Sequence, residues 1–136
     1  MYQPHVLVVE DHPKLLRALS FLLTIAGYDV SSATDGNEAV NHLRARTPDL
    51  ILSGINLPGL NGFELTRLTH ALVGPTPVVL LNPSDDYEVF VQALDAGAAD
   101  VLAGPFNGQD LMEMVRETLA NQPVRELVPV EIRLAS

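Results

Sequence analysis

The stretch DLILSGINLPGLNG, residues 49–62, decides the fold. It opens as a short run, Leu50, Ile51 and Leu52, that is apolar on both faces. It then passes through Ser53 and Gly54 and breaks into Asn-Leu-Pro-Gly before Asn61 and Gly62. An apolar run of this length, bounded by turn residues, reads as a strand buried on both sides, the kind found in parallel sheets. Asn61 with Glu64 three residues on has the spacing of a capping box, so a helix carrying Leu65, Leu68 and Leu72 starts directly after the loop. A buried strand that opens into a loop usually presents something reactive there. The residue at this opening, Gly54, has no side chain.

The same strand–loop–helix grammar repeats on either side. HVLVVE, residues 5–10, reads as a fully buried strand. Leu15, Leu16, Leu19, Leu22, Leu23 and Ala26 then share one helix face, with Pro13 in the first turn and Gly27 as the stop. YDVSSA, residues 28–33, is a weaker strand suited to a sheet edge, and Asp35 with Glu38 has capping-box spacing ahead of Ala39, Val40 and Leu43. Downstream, residues 76–82 form the fourth strand. Ser84 is the expected cap of a helix with Val89, Phe90, Ala93 and Leu94 inside and Gly97 at its end. Residues 99–104 form the fifth strand, and Leu111, Met112, Val115 and Leu119 mark the last helix.

Five βα units in a row imply a parallel sheet with helices on both faces, wound in two directions by right-handed crossovers. Ligands of such sheets sit outside the carboxyl ends of the strands. Residues 1–122 make the domain. Residues 123–136 read as a tail or linker stub, with a second reading as an extra edge strand, because Val128, Val130, Ile132 and Leu134 alternate with Pro129, Glu131 and Arg133.

Composition narrows the function. The chain has 136 residues, 47% of them hydrophobic, with mean hydropathy +0.19, which favours a packed globule. No apolar run approaches the ~18 residues of a membrane span, and no secretory signal pattern is present, so the cytoplasm is the expected compartment. There is no cysteine, hence no disulfide or thiolate metal site. Seventeen acidic residues against eight basic ones give −9, which argues against direct nucleic-acid binding and against anionic membrane surfaces. A basic protein partner or a cation suits this charge better.

At the strand ends, Glu10 and Asp11 stand out. Two carboxylates about 5 Å apart repel by ~3 kcal/mol at an effective dielectric of 20. Such a pair commonly serves Mg²⁺, with the capping of the next helix by Asp11 as the plainer reading. His12 beside them suits a helix start.

With VLVVEDHP, PDLILSGINLPGLNGFEL and GAADVLAGPF in order, residues 4 to about 121 resemble the receiver domain of two-component response regulators. The resemblance implies a flavodoxin-like, doubly wound five-stranded parallel sheet of order 2-1-3-4-5. It also implies a signalling module rather than an enzyme. The departures lie at the strand ends. By that resemblance Gly54 stands at the phosphoacceptor aspartate, Asn82 at a hydroxyl residue that bonds the phosphoryl group, Gly104 at an essential lysine, and Val101 at an aromatic that moves on activation. The acidic pair Glu10 and Asp11 and the metal-facing position Asn56 are retained, so Mg²⁺ at these three would be weak and no cofactor is required.

The expectation is therefore a receiver-like module that is not phosphorylated and acts through a protein partner, whether a kinase, an output domain or a second copy. Its partner surface would run through residues 89–96 and 111–119, with Val89, Phe90, Leu94, Leu111 and Val115. The resemblance also implies a cis peptide before Pro105. Two other readings remain. One is a displaced phosphoacceptor, Asp85 or Asp86. A small-molecule binder would need an amide-rich loop after the first strand, where this chain has EDHPK.

Overall fold

The computed structural model describes residues 2–122, and the tail reading for residues 123–136 falls outside the described residues. Five strands, β1 (His5–Val9), β2 (Asp29–Ala33), β3 (Leu50–Gly54), β4 (Val78–Asn82) and β5 (Asp100–Ala103), form one parallel sheet of order β2-β1-β3-β4-β5. The helices are α1 (Pro13–Ile25), α2 (Gly36–Ala45), α3 (Gly62–Val73), α4 (Tyr87–Ala96) and α5 (Gly108–Ala120). The doubly wound five-stranded sheet expected from the sequence is the fold observed.

Strand periodicity divides the core in two. Leu7, Val9, Ile51, Val78 and Leu80 face α2, α3 and α4, where Leu43, Leu65 and Ala93 meet them. Val6, Val8, Leu50, Leu52, Val79 and Leu81 face α1 and α5, where Leu19, Leu23, Leu111 and Val115 meet them. Because β1, β3 and β4 bury every residue, both faces must be covered, which a parallel sheet with flanking helices achieves.

Several local expectations need correction. Leu111 and Val115 are buried under the sheet, so they belong to the core and not to a partner surface. Phe90 and Leu94, named both among the inward residues of α4 and on the partner surface, are exposed; the inward face is Ala93 and Ala96 with half-buried Val89. Leu72 is also exposed; α3 turns Leu65, Thr66 and Thr69 inward, each threonine hydroxyl donating to the carbonyl four residues back. The cap of α4 is Asp86 and not Ser84: the helix starts at Tyr87, and the Asp86 carboxylate accepts from the Glu88 amide. Asp35 caps α2, but Glu38 accepts from the Thr34 hydroxyl instead of closing a box. Asn61–Glu64 is a complete box, and Asn107–Asp110 is a second one before α5.

Candidate functional site

The carboxyl ends of β1, β3, β4 and β5 form the rim where the sequence concentrates its unusual residues. Val9 pairs with Ser53, so the next step up the sheet sets Glu10 against Gly54. By strand parity Glu10 shares a face with Val6 and Val8, and Gly54 with Leu50 and Leu52, the same side of the sheet. The Glu10 carboxylate leans into that space. Its Oε1 lies 2.7 Å from where a Cβ on Gly54 would be. Its Oε2 accepts from the His12 amide at 2.9 Å, and its own amide donates to Ala33 O at 3.0 Å.

Glu10 is nearly buried. Burial raises its pKa above the usual carboxylate value, and Asp11 raises it further, against the lowering effect of the His12 amide. Asp11 itself is exposed and does not cap α1, one of the two readings open for it; His12 does, its Nδ1 accepting from the Leu15 amide at 3.4 Å. Pro13 follows at the first helical position, where its missing N–H costs nothing.

The loop after β3 is tied down by its own backbone. Gly62 N donates to Ile55 O at 2.8 Å, which brings the first residue of α3 against the end of the strand. A Cβ on Gly62 would press into Gly54 O and lie 2.9 Å from Ile55 Cα, so glycine is the residue that fits there. Asn56 sits exposed on this loop.

Across the rim, Asn82 is buried and its Oδ1 accepts from both the amide and the hydroxyl of Ser84 at 3.2 Å. The Ser84 hydroxyl in turn accepts from the Asp86 amide at 3.4 Å. These bonds fold the β4–α4 turn over the end of β5. Gly104 N donates to Asn82 O at 2.6 Å, and a Cβ on Gly104 would collide with the Pro83 carbonyl, lying 2.9 Å from its carbon. The Gly104–Pro105 peptide is cis, as expected.

The rim therefore brings Glu10 onto Gly54, and Asn82 and Pro83 onto Gly104. It leaves the other named residues apart. Val101 is half-buried in the core facing α4, while Asp85 and Asp86 lie exposed, Asp86 serving the Glu88 amide at 3.0 Å. Among the described residues no group of three or more His, Asp or Glu could hold a metal ion. Of the three residues named for Mg²⁺, Glu10 gives one carboxylate oxygen to the His12 amide, and Asp11 and Asn56 are exposed. Gly62 and Ser84 were not legible as rim residues, and nothing in the sequence showed that the Pro83 carbonyl fills the space beside Gly104. Gly62 had a local signal in its place after the Asn61 cap, but its contact with Gly54 depends on how the loop closes.

Similarity to known proteins follows the same frame. Residues 6–116 match the response regulator receiver domain family. The chain is 36% identical over 114 residues to the DNA-binding response regulator MtrA of Mycolicibacterium smegmatis, covering 84% of this chain and 50% of that protein. It is 34% identical over 119 residues to the uncharacterized transcriptional regulatory protein YkoG of Bacillus subtilis, covering 88% and 52%. The chain thus spans about half the length of these curated relatives. Among solved structures it is similar to the Vibrio cholerae chemotaxis protein CheY4, with TM-score 0.81, 28% identity, and 86% of this chain and 99% of that one covered. No helix among the described residues is long and apolar enough to cross a membrane. With strand order, rim position and sequence similarity in agreement, the chain belongs to the response regulator receiver domain family.

Proposed function

We propose that this receiver domain is a signalling module that works by protein–protein contact and is not switched by phosphate at the rim of its sheet. Phosphoryl transfer needs an in-line nucleophile and cations that neutralise the transferring group. Gly54 supplies no nucleophile and Gly104 no ammonium. The observation that carries the reading is the occupation of both places. The Glu10 carboxylate lies in the space beside Gly54, and the Pro83 carbonyl lies in the space beside Gly104. An arriving phosphoryl dianion would meet a carboxylate and a carbonyl oxygen, both of the wrong sign.

Asp85 and Asp86 are the remaining carboxylates beyond β4. Both are exposed, and Asp86 is held as a helix cap. Neither has a neighbouring cation in hydrogen-bond contact among the described residues. The domain requires no metal for this role. Its net charge of −9 disfavours contact with nucleic acid by the domain itself. Its partner is a protein: a kinase, an output domain or another copy.

Incubation with acetyl phosphate and Mg²⁺, read by intact mass, tests the reading. The expected mass is unchanged. A stable gain of one phosphoryl group, mapped by fragmentation to the rim or to the β4–α4 turn, overturns it.

A further inference from the structure

Two Asn-Gly pairs open helices in this chain, Asn61–Gly62 before α3 and Asn107–Gly108 before α5. Glycine has no side chain to shield its amide, so the nitrogen that follows such an asparagine can reach the side-chain carbonyl carbon. Locally the two pairs are alike. Each asparagine has extended backbone, with ψ of 174° and 178°, and each closes a complete capping box. Asn61 Oδ1 accepts from the Glu64 amide at 2.9 Å, and Asn107 Oδ1 accepts from the Asp110 amide at 2.8 Å.

The difference lies in the glycine that would attack. Gly62 is buried, and its N–H donates to Ile55 O at 2.8 Å. The space beside it is filled by Gly54 O and by Ile55 Cα, which is 2.9 Å from where a Cβ would lie. Turning the Asn61–Gly62 peptide would break that bond and drive the glycine into the end of β3. Gly108 has no such hold. Its N–H makes no hydrogen bond among the described residues, being one of the orphan donors of a helix's first turn. Its nearest neighbour is a side-chain tip, Leu22 Cδ1, at 3.5 Å from the Cβ position. Asn107 is exposed to the water that supplies hydroxide and later opens the product.

We infer that Asn107–Gly108 is a site of spontaneous covalent modification, deamidation and isomerisation through a succinimide, and that the fold protects Asn61–Gly62 from the same reaction. Gly108 N gives its proton to hydroxide and forms a bond to Asn107 Cγ. The Cγ–Nδ2 bond then breaks, and Nδ2 takes a proton from water and leaves as ammonia. Water opens the ring at one of its two carbonyls, giving aspartate or isoaspartate at position 107. Isoaspartate carries the chain on through its side-chain carbonyl, one methylene longer, and cannot close the box with Asp110. The first turn of α5, which lies against Leu22 of α1, is loosened by it.

Holding the full chain at mildly alkaline pH and physiological temperature, then mapping mass gain and isoaspartate by peptide digestion, tests this. In the folded protein Asn107 is expected to react at least about tenfold faster than Asn61, because a held site reacts only through local opening. In urea the two asparagines are expected to react at similar rates. Gly108→Ala, whose methyl meets Leu22 at ordinary contact distance, is expected to slow the reaction at Asn107 by about tenfold, since the methyl shields the amide that glycine leaves open. The isoaspartate form, separated by its added charge, is expected to melt about 5 °C below the unmodified protein, the loss of one cap. Equal rates at the two asparagines in the folded protein overturn the inference, as does an Asn107 that stays intact. A rate difference that persists in urea, a Gly108→Ala variant that reacts as fast as the wild type, or an isoaspartate form that melts with the unmodified protein also overturns it.

Discussion

Replacing Gly104 by lysine is expected to lower the unfolding midpoint by about 10 °C, a cost of ~2–3 kcal/mol, without creating a working ammonium at the rim. The obstacle is backbone. A Cβ at this position collides with the Pro83 carbonyl and stands 3.3 Å from Asn82 O. Moving Pro83 aside would break the turn held by Asn82 Oδ1 on Ser84 and stretch the 2.6 Å bond from Gly104 N to Asn82 O. Gly104→Ala carries nearly the same penalty, because the collision begins at Cβ. Gly104 does not have positive φ, so space and not backbone conformation is the cause. Thermal denaturation of both variants checks this, and a lysine variant as stable as the wild type would mean that the turn is free to open.

Gly54→Asp is expected to behave differently, because what it meets is the tip of a flexible side chain. Glu10 Oε1, 2.7 Å from the new Cβ, can swing away. The cost is then electrostatic: a third carboxylate joins Glu10 and Asp11, and each pair at about 5 Å is worth ~3 kcal/mol at an effective dielectric of 20 before relaxation. A net loss of about 1–2 kcal/mol at neutral pH is expected. Its pH dependence has a definite sign. Glu10 already has a raised pKa in the folded protein, and the added aspartate raises it further. The native state then holds more protons than the unfolded state above the usual carboxylate range. Stability of the variant therefore rises as pH falls from neutral towards that range. Millimolar Mg²⁺ is expected to restore most of the loss, since three carboxylates make a site that two do not. The wild type is expected to show no such response. Chemical denaturation with and without Mg²⁺ measures both effects.

Much of the architecture was legible in the sequence because its signals are local. Pro13 at the first turn of α1, the Asn61–Glu64 box and Gly97 after α4 each act within a few residues of chain. The apolar runs of β1, β3 and β4 left no alternative to burial on both faces. The errors arose where a local pattern had two solutions. Helix α4 has apolar residues on more than one side, and periodicity alone assigned Phe90 and Leu94 inward when Ala93 and Ala96 fill that place. The small alanines let the helix lie close to the sheet and leave no room there for larger side chains. Conversely, Leu111 and Val115 were placed on a surface although they close the core beneath Val79, Leu81 and Leu102.

The rim was legible as depleted but not as refilled. Gly54 and Gly104 lack side chains by inspection of the sequence. That Glu10 turns into one space depends on the β1–β3 register. That Pro83 closes the other depends on Asn82 folding the turn with its side chain. Neither is a property of a short window of sequence. Together they separate this domain from one that has merely lost a residue: the neighbours have settled into the places left.

The most direct test is the amide spectrum of the ¹⁵N-labelled protein titrated with beryllofluoride and Mg²⁺, a mimic of the phosphoryl group. The amides of Gly54, Asn82, Ser84 and Gly104 are predicted to keep their positions throughout. Saturable shifts centred on those four, spreading towards α4, would contradict the account.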